Sequence, residues 1–213
     1  AQNPSQGLGV VTVVVSPAPP GGGDLTLGAT NYTRNFSYTT TFNDVPAGPV
    51  SLTAREVVRQ PDPQVTSIWA PNPYTWTGTL YSFYPLTLQV SYSEVPGTVV
   101  IDFPGLPQGA TVPVYGLPGV TEARGGQGLS VPPGLYRVSV PQEVEAVSPE
   151  GCRTFYQATG TTSRDVAVSS RQTSSLSFAY APVSGCLSVT VTDATGWASQ
   201  AGYKPSVRAF KAR

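Results

Sequence analysis

Histidine and methionine are both absent from the 213 residues, and cysteine occurs only twice. Without histidine the chain has no Ser-His-Asp or Cys-His nucleophile, no zinc site of the His-Glu-x-x-His kind and few routes to a transition metal. Two cysteines alone make a poor metal site. One disulfide between Cys152 and Cys186 in an oxidising compartment is the expected use, with two free thiols as the alternative. Charge is scarce as well. Lys and Arg number 12 against 12 Asp and Glu, so charged residues are 11% of the chain and the formal net charge is zero, where a typical globular protein carries about 25%. No basic run occurs, which argues against nucleic acid as a partner. The longest apolar run, Val10 to Val15, is interrupted by Thr12 and is far too short to cross a bilayer, so no transmembrane segment is expected. Also missing are a G-x-S-x-G elbow, a P-loop and a dinucleotide fingerprint.

The remaining acidic residues offer little chemistry. Glu143 and Glu145 lie two apart on an expected strand, so both point to one side and read as a solvated strand end rather than as a glycosidase pair. No loop concentrates the oxygens that calcium needs. The expectation is a protein without cofactor, metal or catalytic residues. A chain with no methionine that begins Ala1-Gln2 suits the product of signal-peptide cleavage, and hence an extracellular or cell-surface location.

What is abundant is turn chemistry. Gly and Pro number 22 each, yet hydrophobic residues reach 39% and aromatics 10%, enough apolar surface to offset ordering entropy. Many short strands joined by Gly and Pro turns reconcile the two. Three segments open alike: Gly9-Val-Val-Thr-Val-Val-Val15, Gly97-Thr-Val-Val-Ile-Asp-Phe103 and Gly185-Cys-Leu-Ser-Val-Thr-Val191, with glycines at 9, 97 and 185, a spacing of 88 taken twice. Two of them share a run-in at the same spacing, Tyr92 to Gly97 and Tyr180 to Gly185. A mid-unit landmark recurs in the same order: Val45-Pro-Ala-Gly-Pro-Val-Ser-Leu-Thr-Ala54 and Val131-Pro-Pro-Gly-Leu-Tyr-Arg-Val-Ser-Val140, followed by Glu56-Val57 and Glu143-Val144.

Each landmark has a physical reading. Glycine followed by alternating β-branched residues is a strand leaving a tight turn. Val-Pro-x-Gly is a turn in which proline sets one φ and glycine supplies a positive one. Leu86 to Tyr92 and Ser174 to Tyr180 alternate and close each unit, and such alternation predicts antiparallel sheets with one dry face. The expected fold is all-β: two tandem antiparallel β-sandwiches, immunoglobulin-like or transthyretin-like, of six to eight strands each, with additional C-terminal strands. The expected boundaries are a tail at 1–7, repeats at 8–95 and 96–184, and a partial third repeat at 185–213. The opening strand, the mid-unit turn and the closing Ser-Leu-x-Phe-x-Tyr resemble the β-sandwich repeats of bacterial cell-surface proteins, which include carboxypeptidase-regulatory-like and prealbumin-type domains. The resemblance implies spacers, adhesion modules or assembly subunits rather than enzymes.

The third opening is too short to bury a core of its own. Its strand residues Leu187, Val189 and Val191 either extend the second repeat or complete a sheet in a neighbouring molecule. The N-terminal tail leading into Val10, Val11, Val13 and Val15 is the other candidate donor. A bridge between Cys152 and Cys186 would close a loop of about 35 residues, worth roughly 3 kcal/mol, and would hold the extra strands on the second repeat. Residues 59–84 depart from the repeat, being rich in proline and aromatics: Trp69, Tyr74, Trp76, Tyr81, Phe83 and Tyr84. They are read as core beneath a long loop, as a protein interface, or as a platform for sugar rings. Asn31-Tyr-Thr and Asn35-Phe-Ser are glycosylation sequons. The leading expectation is a structural subunit of an extracellular bacterial assembly, a filament or envelope layer, that associates with itself or with other envelope proteins by strand complementation. The alternative is a glycan-binding or adhesion module using the aromatic loop.

Overall fold

The structure, a computed structural model, describes residues 7–147 and 153–183, and every regular element among them is a strand. The first 95 residues supply β1 (Leu8–Val15), β2 (Asp24–Ala29), β3 (Tyr32–Phe36), β4 (Thr40–Pro46), β5 (Gly48–Arg55), β6 (Val57–Asp62), β7 (Val65–Asn72), β8 (Thr75–Leu80) and β9 (Leu86–Glu94). They form two sheets, of order β4-β1-β9-β7-β6 and β3-β2-β5-β8. The alternation legible in the sequence sets which side chains turn inward. Val11, Val13 and Val15 of β1 meet Leu88, Val90 and Tyr92 of β9 from one sheet and Leu25, Leu27, Leu52 and Leu80 from the other, in a single buried cluster. Each such aliphatic side chain contributes roughly 1.5–3 kcal/mol by leaving water.

One expectation is corrected. The sheets are not wholly antiparallel: β1 pairs with β9 in parallel, Val11 opposite Leu86 and Val15 opposite Val90, while its other side pairs antiparallel with β4. Alternation specifies which face is buried and says nothing of the neighbour's direction. The Val-Pro-x-Gly turn forms as expected in the first copy. It joins β4 to β5, with Gly48 at φ 124°. The Gly21-Gly22-Gly23 stretch between β1 and β2 is pinned. Gly21 and Gly22 take positive φ, and the Arg59 guanidinium donates to the Pro20 carbonyl at 2.8 Å and the Gly22 carbonyl at 3.1 Å.

The second half supplies β10 (Gly97–Asp102), β11 (Thr111–Pro113), β12 (Glu122–Arg124), β13 (Gln127–Val131), β14 (Gly134–Ser139), β15 (Glu143–Val147), β16 (Arg153–Ala158), β17 (Ser163–Val168), β18 (Thr173–Ser177) and β19 (Tyr180–Pro182). Its strand orders are β13-β10-β18, β15-β16-β19, β11-β12 and β14-β17, with an isolated bridge between Tyr115 and Ser139. The order β13-β10-β18 repeats β4-β1-β9, β15-β16-β19 repeats β6-β7-β9, and β14-β17 repeats β5-β8. The counterpart of the long β9 is thus divided into β18 and β19 around Phe178 and Ala179. The tyrosines that end the closing strands behave alike. Tyr92 and Tyr180 are both buried, and burial pushes both phenols up. Tyr92 Oη accepts from the Asp24 amide at 3.2 Å, and Tyr180 Oη donates to the Pro141 carbonyl at 2.7 Å.

By their contacts the residues group into two compact units that do not follow the 88-residue repeat. Among the described residues the first runs to Thr98 and takes in Ser130–Leu135 and Ala167–Ser174; the second comprises those of Val99–Leu129 and Tyr136–Val166 and those from Ser175 to Val183. In the second unit Gly116, at φ 90°, lies directly against the Arg137 backbone carbonyl, so a Cβ there meets main chain. Gly116→Ala therefore combines a disfavoured φ with a backbone clash and is expected to lower the melting temperature, while Gly119→Ala, at φ 72° with open space around it, has the φ penalty alone and the smaller effect. Thermal melts of the two variants check the order.

Candidate functional site

The residues singled out in the sequence are scattered through this fold. Val10, Val11, Val13 and Val15 belong to β1, which occupies an interior place in its own sheet with β4 on one side and β9 on the other. Val11 to Val13 are paired on both sides within their own chain. The other candidate donor residues, Leu187, Val189 and Val191, lie outside the described residues, as do Cys152 and Cys186. Trp69 and Trp76 are half-buried and pack against the first core. Gly78 makes room for the indole, since a Cβ there would run into the Trp76 ring. Asn31 and Asn35 are exposed. Asn31 turns the β2–β3 hairpin at φ 55°, and Asn35 Oδ1 accepts from the Thr26 hydroxyl at 2.9 Å. Glu143 and Glu145 are exposed on one face of β15, and Arg153 lies 3.4 Å from Glu145. Among the described residues no group of three or more Cys, Asp or Glu is placed to share a metal ion.

Two places carry more than packing, and both are turns. The first is Ser169–Gln172, between β17 and β18, within the first compact unit. Ser169 Oγ accepts from the Thr66 amide at 3.0 Å, and Ser170 Oγ accepts from the Ile68 amide at 2.8 Å while donating to the Val95 carbonyl at 2.6 Å. The Ser170 amide donates to the Thr66 carbonyl at 2.8 Å, and the Arg171 amide to the Pro96 carbonyl at 3.0 Å. Thr66 and Ile68 lie on β7 just before the stretch Trp69–Asn72 that pairs with β9. The two hydroxyls thus stand in for a strand where the ladder has run out. Nothing in a Ser-Ser-Arg-Gln sequence distinguishes this from an ordinary polar turn, so sequence reasoning passed over it.

Around that turn the Arg171 guanidinium grips the Glu56 carboxylate through two hydrogen bonds, one of them 3.0 Å long, and the Tyr74 hydroxyl donates to the same carboxylate at 2.8 Å. The bond from Arg171, with that from Tyr74, holds the Glu56 carboxyl below the usual carboxylate range, and the Glu56 carboxylate pushes the Tyr74 phenol up. A carboxyl depressed in the folded state contributes stability that is present above its ordinary value of 4.5 and is lost as the pH falls through the lowered one. The urea midpoint is therefore expected to fall on the acid side of about pH 4.5, and Glu56→Gln to flatten that part of the profile. An unchanged acid limb in the variant would show the pair to be decorative.

The second place is Tyr81–Tyr84, between β8 and β9. Tyr81 is 67% exposed, Phe83 94% and Tyr84 73%. Phe83 holds φ 70°, a left-handed conformation that is an outlier for a bulky residue. Within residues 59–84 the exposed aromatics are thus Tyr74 and those of this turn, rather than the two tryptophans.

No protein-family model matches the chain, and no curated protein matches it. Among solved structures it is distantly similar to the Bacillus anthracis TIE protein, with a TM-score of 0.48 and 12% identity over 84% of this chain and 34% of that one. It therefore spans about a third of that protein's length. It is also distantly similar to GBS52, the minor pilin of Streptococcus agalactiae, with a TM-score of 0.31 and 12% identity over 85% of this chain and 99% of that one. A third is the shaft pilin spaA of Lactobacillus rhamnosus GG, with a TM-score of 0.27 and 10% identity over 85% of this chain and all of that one.

Proposed function

We infer that the chain is a non-enzymatic structural subunit of an extracellular bacterial assembly, built from two copies of one β-sandwich at about 8–95 and 96–184, and that its work is self-association into a filament or layer. The observation that carries this reading is the turn Ser169–Gln172. Residues of the second copy serve as part of the first compact unit, so the repeat is a module that a turn of the next module completes. Such head-to-tail continuation propagates. Low charge, at 11% of residues, fits a surface covered by neighbours better than one kept apart by repulsion.

Of the two strands proposed as donors, β1 is engaged on both sides in its own chain, which leaves the segment 185–213 as the candidate for exchange. A bridge between Cys152 and Cys186 would instead hold that segment on the second repeat, and the mass gained on reduction decides between the two. The assembly itself is tested by sedimentation and negative-stain imaging of the purified chain over a wide concentration range. Concentration-dependent fibres or sheets are expected, and monodisperse monomer throughout overturns the reading.

A further inference from the structure

The four-stranded sheet of the first repeat ends on β8. The Ala54 amide donates to the Tyr74 carbonyl at 2.8 Å, and pairs along an antiparallel ladder alternate between bonded and unbonded. Trp76, Gly78 and Leu80, opposite Leu52, Val50 and Gly48, therefore turn their amides and carbonyls toward β5. Thr75, Thr77 and Thr79 turn theirs the other way. Pro49, which has no amide to give, stands opposite Thr79, where the ladder asks for none. Among the described residues β8 pairs with β5 alone, so these threonines line an open edge, and all three are exposed.

The other edge strands of the first repeat are guarded. β6 carries Arg59, Pro61 and Asp62, with a register shift between Arg59 and Asp62. β4 carries Asp44 and Pro46, and Arg34 of β3 lies 4.0 Å from Asp44. Charge, proline and bulges keep sheets from joining edge to edge. β8, Thr-Trp-Thr-Gly-Thr-Leu, has none of these, and its register with β5 is unbroken. Its counterpart β17 likewise lies last in its sheet, but carries Arg164 and Asp165. The edge position thus belongs to the repeat, and the missing guard belongs to the first copy.

We propose that β8 pairs with β8 of a second copy of this chain, antiparallel about a two-fold axis at Thr77, so that two four-stranded sheets become one. A second copy is the partner that fits, because the strand is its own complement. With Thr77 opposite Thr77, Thr75 meets Thr79, and every outward threonine falls at a bonded position. Trp76 then meets Gly78 at the closer, unbonded one. Gly78 already makes room for the Trp76 ring within its own strand, and the glycine across the axis leaves that ring uncrowded. Threonines are favourable neighbours across strands. On the outer face the row Thr33, Gly28, Ser51, Thr77 runs on into the same row reversed, with no charge at the seam. A two-fold contact closes on itself, so it links chains side by side and leaves head-to-tail growth to another surface.

This inference rests on the self-association proposed above and supplies one of its surfaces. The test is sedimentation of Thr77→Lys, of Thr77→Glu and of an equal mixture of the two, against the parent, with melting temperatures to confirm that the exposed substitutions leave the fold intact. Each variant alone sets like charges face to face and is expected to associate at least about tenfold more weakly, with a smaller loss at high salt. The mixture is expected to recover, because lysine then faces glutamate. Association of both variants equal to that of the parent overturns this surface and leaves self-association standing. Weakened variants whose mixture does not recover overturn the two-fold pairing and assign β8 to a different strand of its neighbour. A parent that stays monomeric overturns both readings.

Discussion

Val13→Asp is expected to unfold the first compact unit. Val13 is fully buried at the middle of β1, opposite Leu88 in the parallel register and Thr40 in the antiparallel one, with its side chain in the cluster that holds Leu25, Leu27 and Leu52. A carboxylate there has no cation to pair with among its core neighbours, and such a buried group costs several kcal/mol whether it stays charged or takes a proton. Folding leaves a domain only about 5–15 kcal/mol in hand. Val13→Ala, which removes two methyl groups and leaves a small void, is expected to lose roughly 2 kcal/mol and stay folded. Val10→Asp, on the half-exposed face of the same strand, should be milder than either Asp at 11 or Asp at 13. Urea melts followed by near-ultraviolet circular dichroism resolve the series, since Trp69, Trp76 and Tyr92 border this core. The series also bears on strand exchange. A chain whose residues 8–15 belonged to a neighbour's sheet would tolerate Val13→Asp as a monomer and fail only in assembly.

Much of the fold was legible because it depends on properties that one strand displays by itself. The glycines at 9 and 97, the Val-Pro-x-Gly turns and the alternation of β1, β5 and β9 are local, and the strand orders they head recur in both halves. The parallel direction of β9 beside β1 was not legible, because a valine ladder alternates identically whichever way its neighbour runs. The division of the second closing strand around Phe178 and Ala179 was hidden for a similar reason: Ser174 to Tyr180 keeps its alternation through the break. The aromatic stretch was legible as a departure from the repeat, but not its partition. Trp69 and Trp76 have core to cover, whereas Phe83 and Tyr84 sit in a turn and have none within the unit. Candidate function was hardest to read, because it rests on two serines. A hydroxyl that replaces a missing strand is recognised by the amides it reaches, and Thr66 and Ile68 lie more than 100 residues from Ser169 and Ser170.

Ser170→Ala is expected to destabilise the first compact unit by about 2–6 kcal/mol, although the residue lies in the second repeat, because two part-buried backbone groups then lose their partners at roughly 1–3 kcal/mol each. Those groups are the Ile68 amide and the Val95 carbonyl, and at 3% exposure Ser170 leaves little room for water to replace the hydroxyl. Arg171→Gln, by contrast, removes an ion pair in which the arginine is 53% exposed, and should cost far less and only at low salt. The comparison separates a hydrogen-bonded plug from a salt bridge as the element that joins this turn to β7.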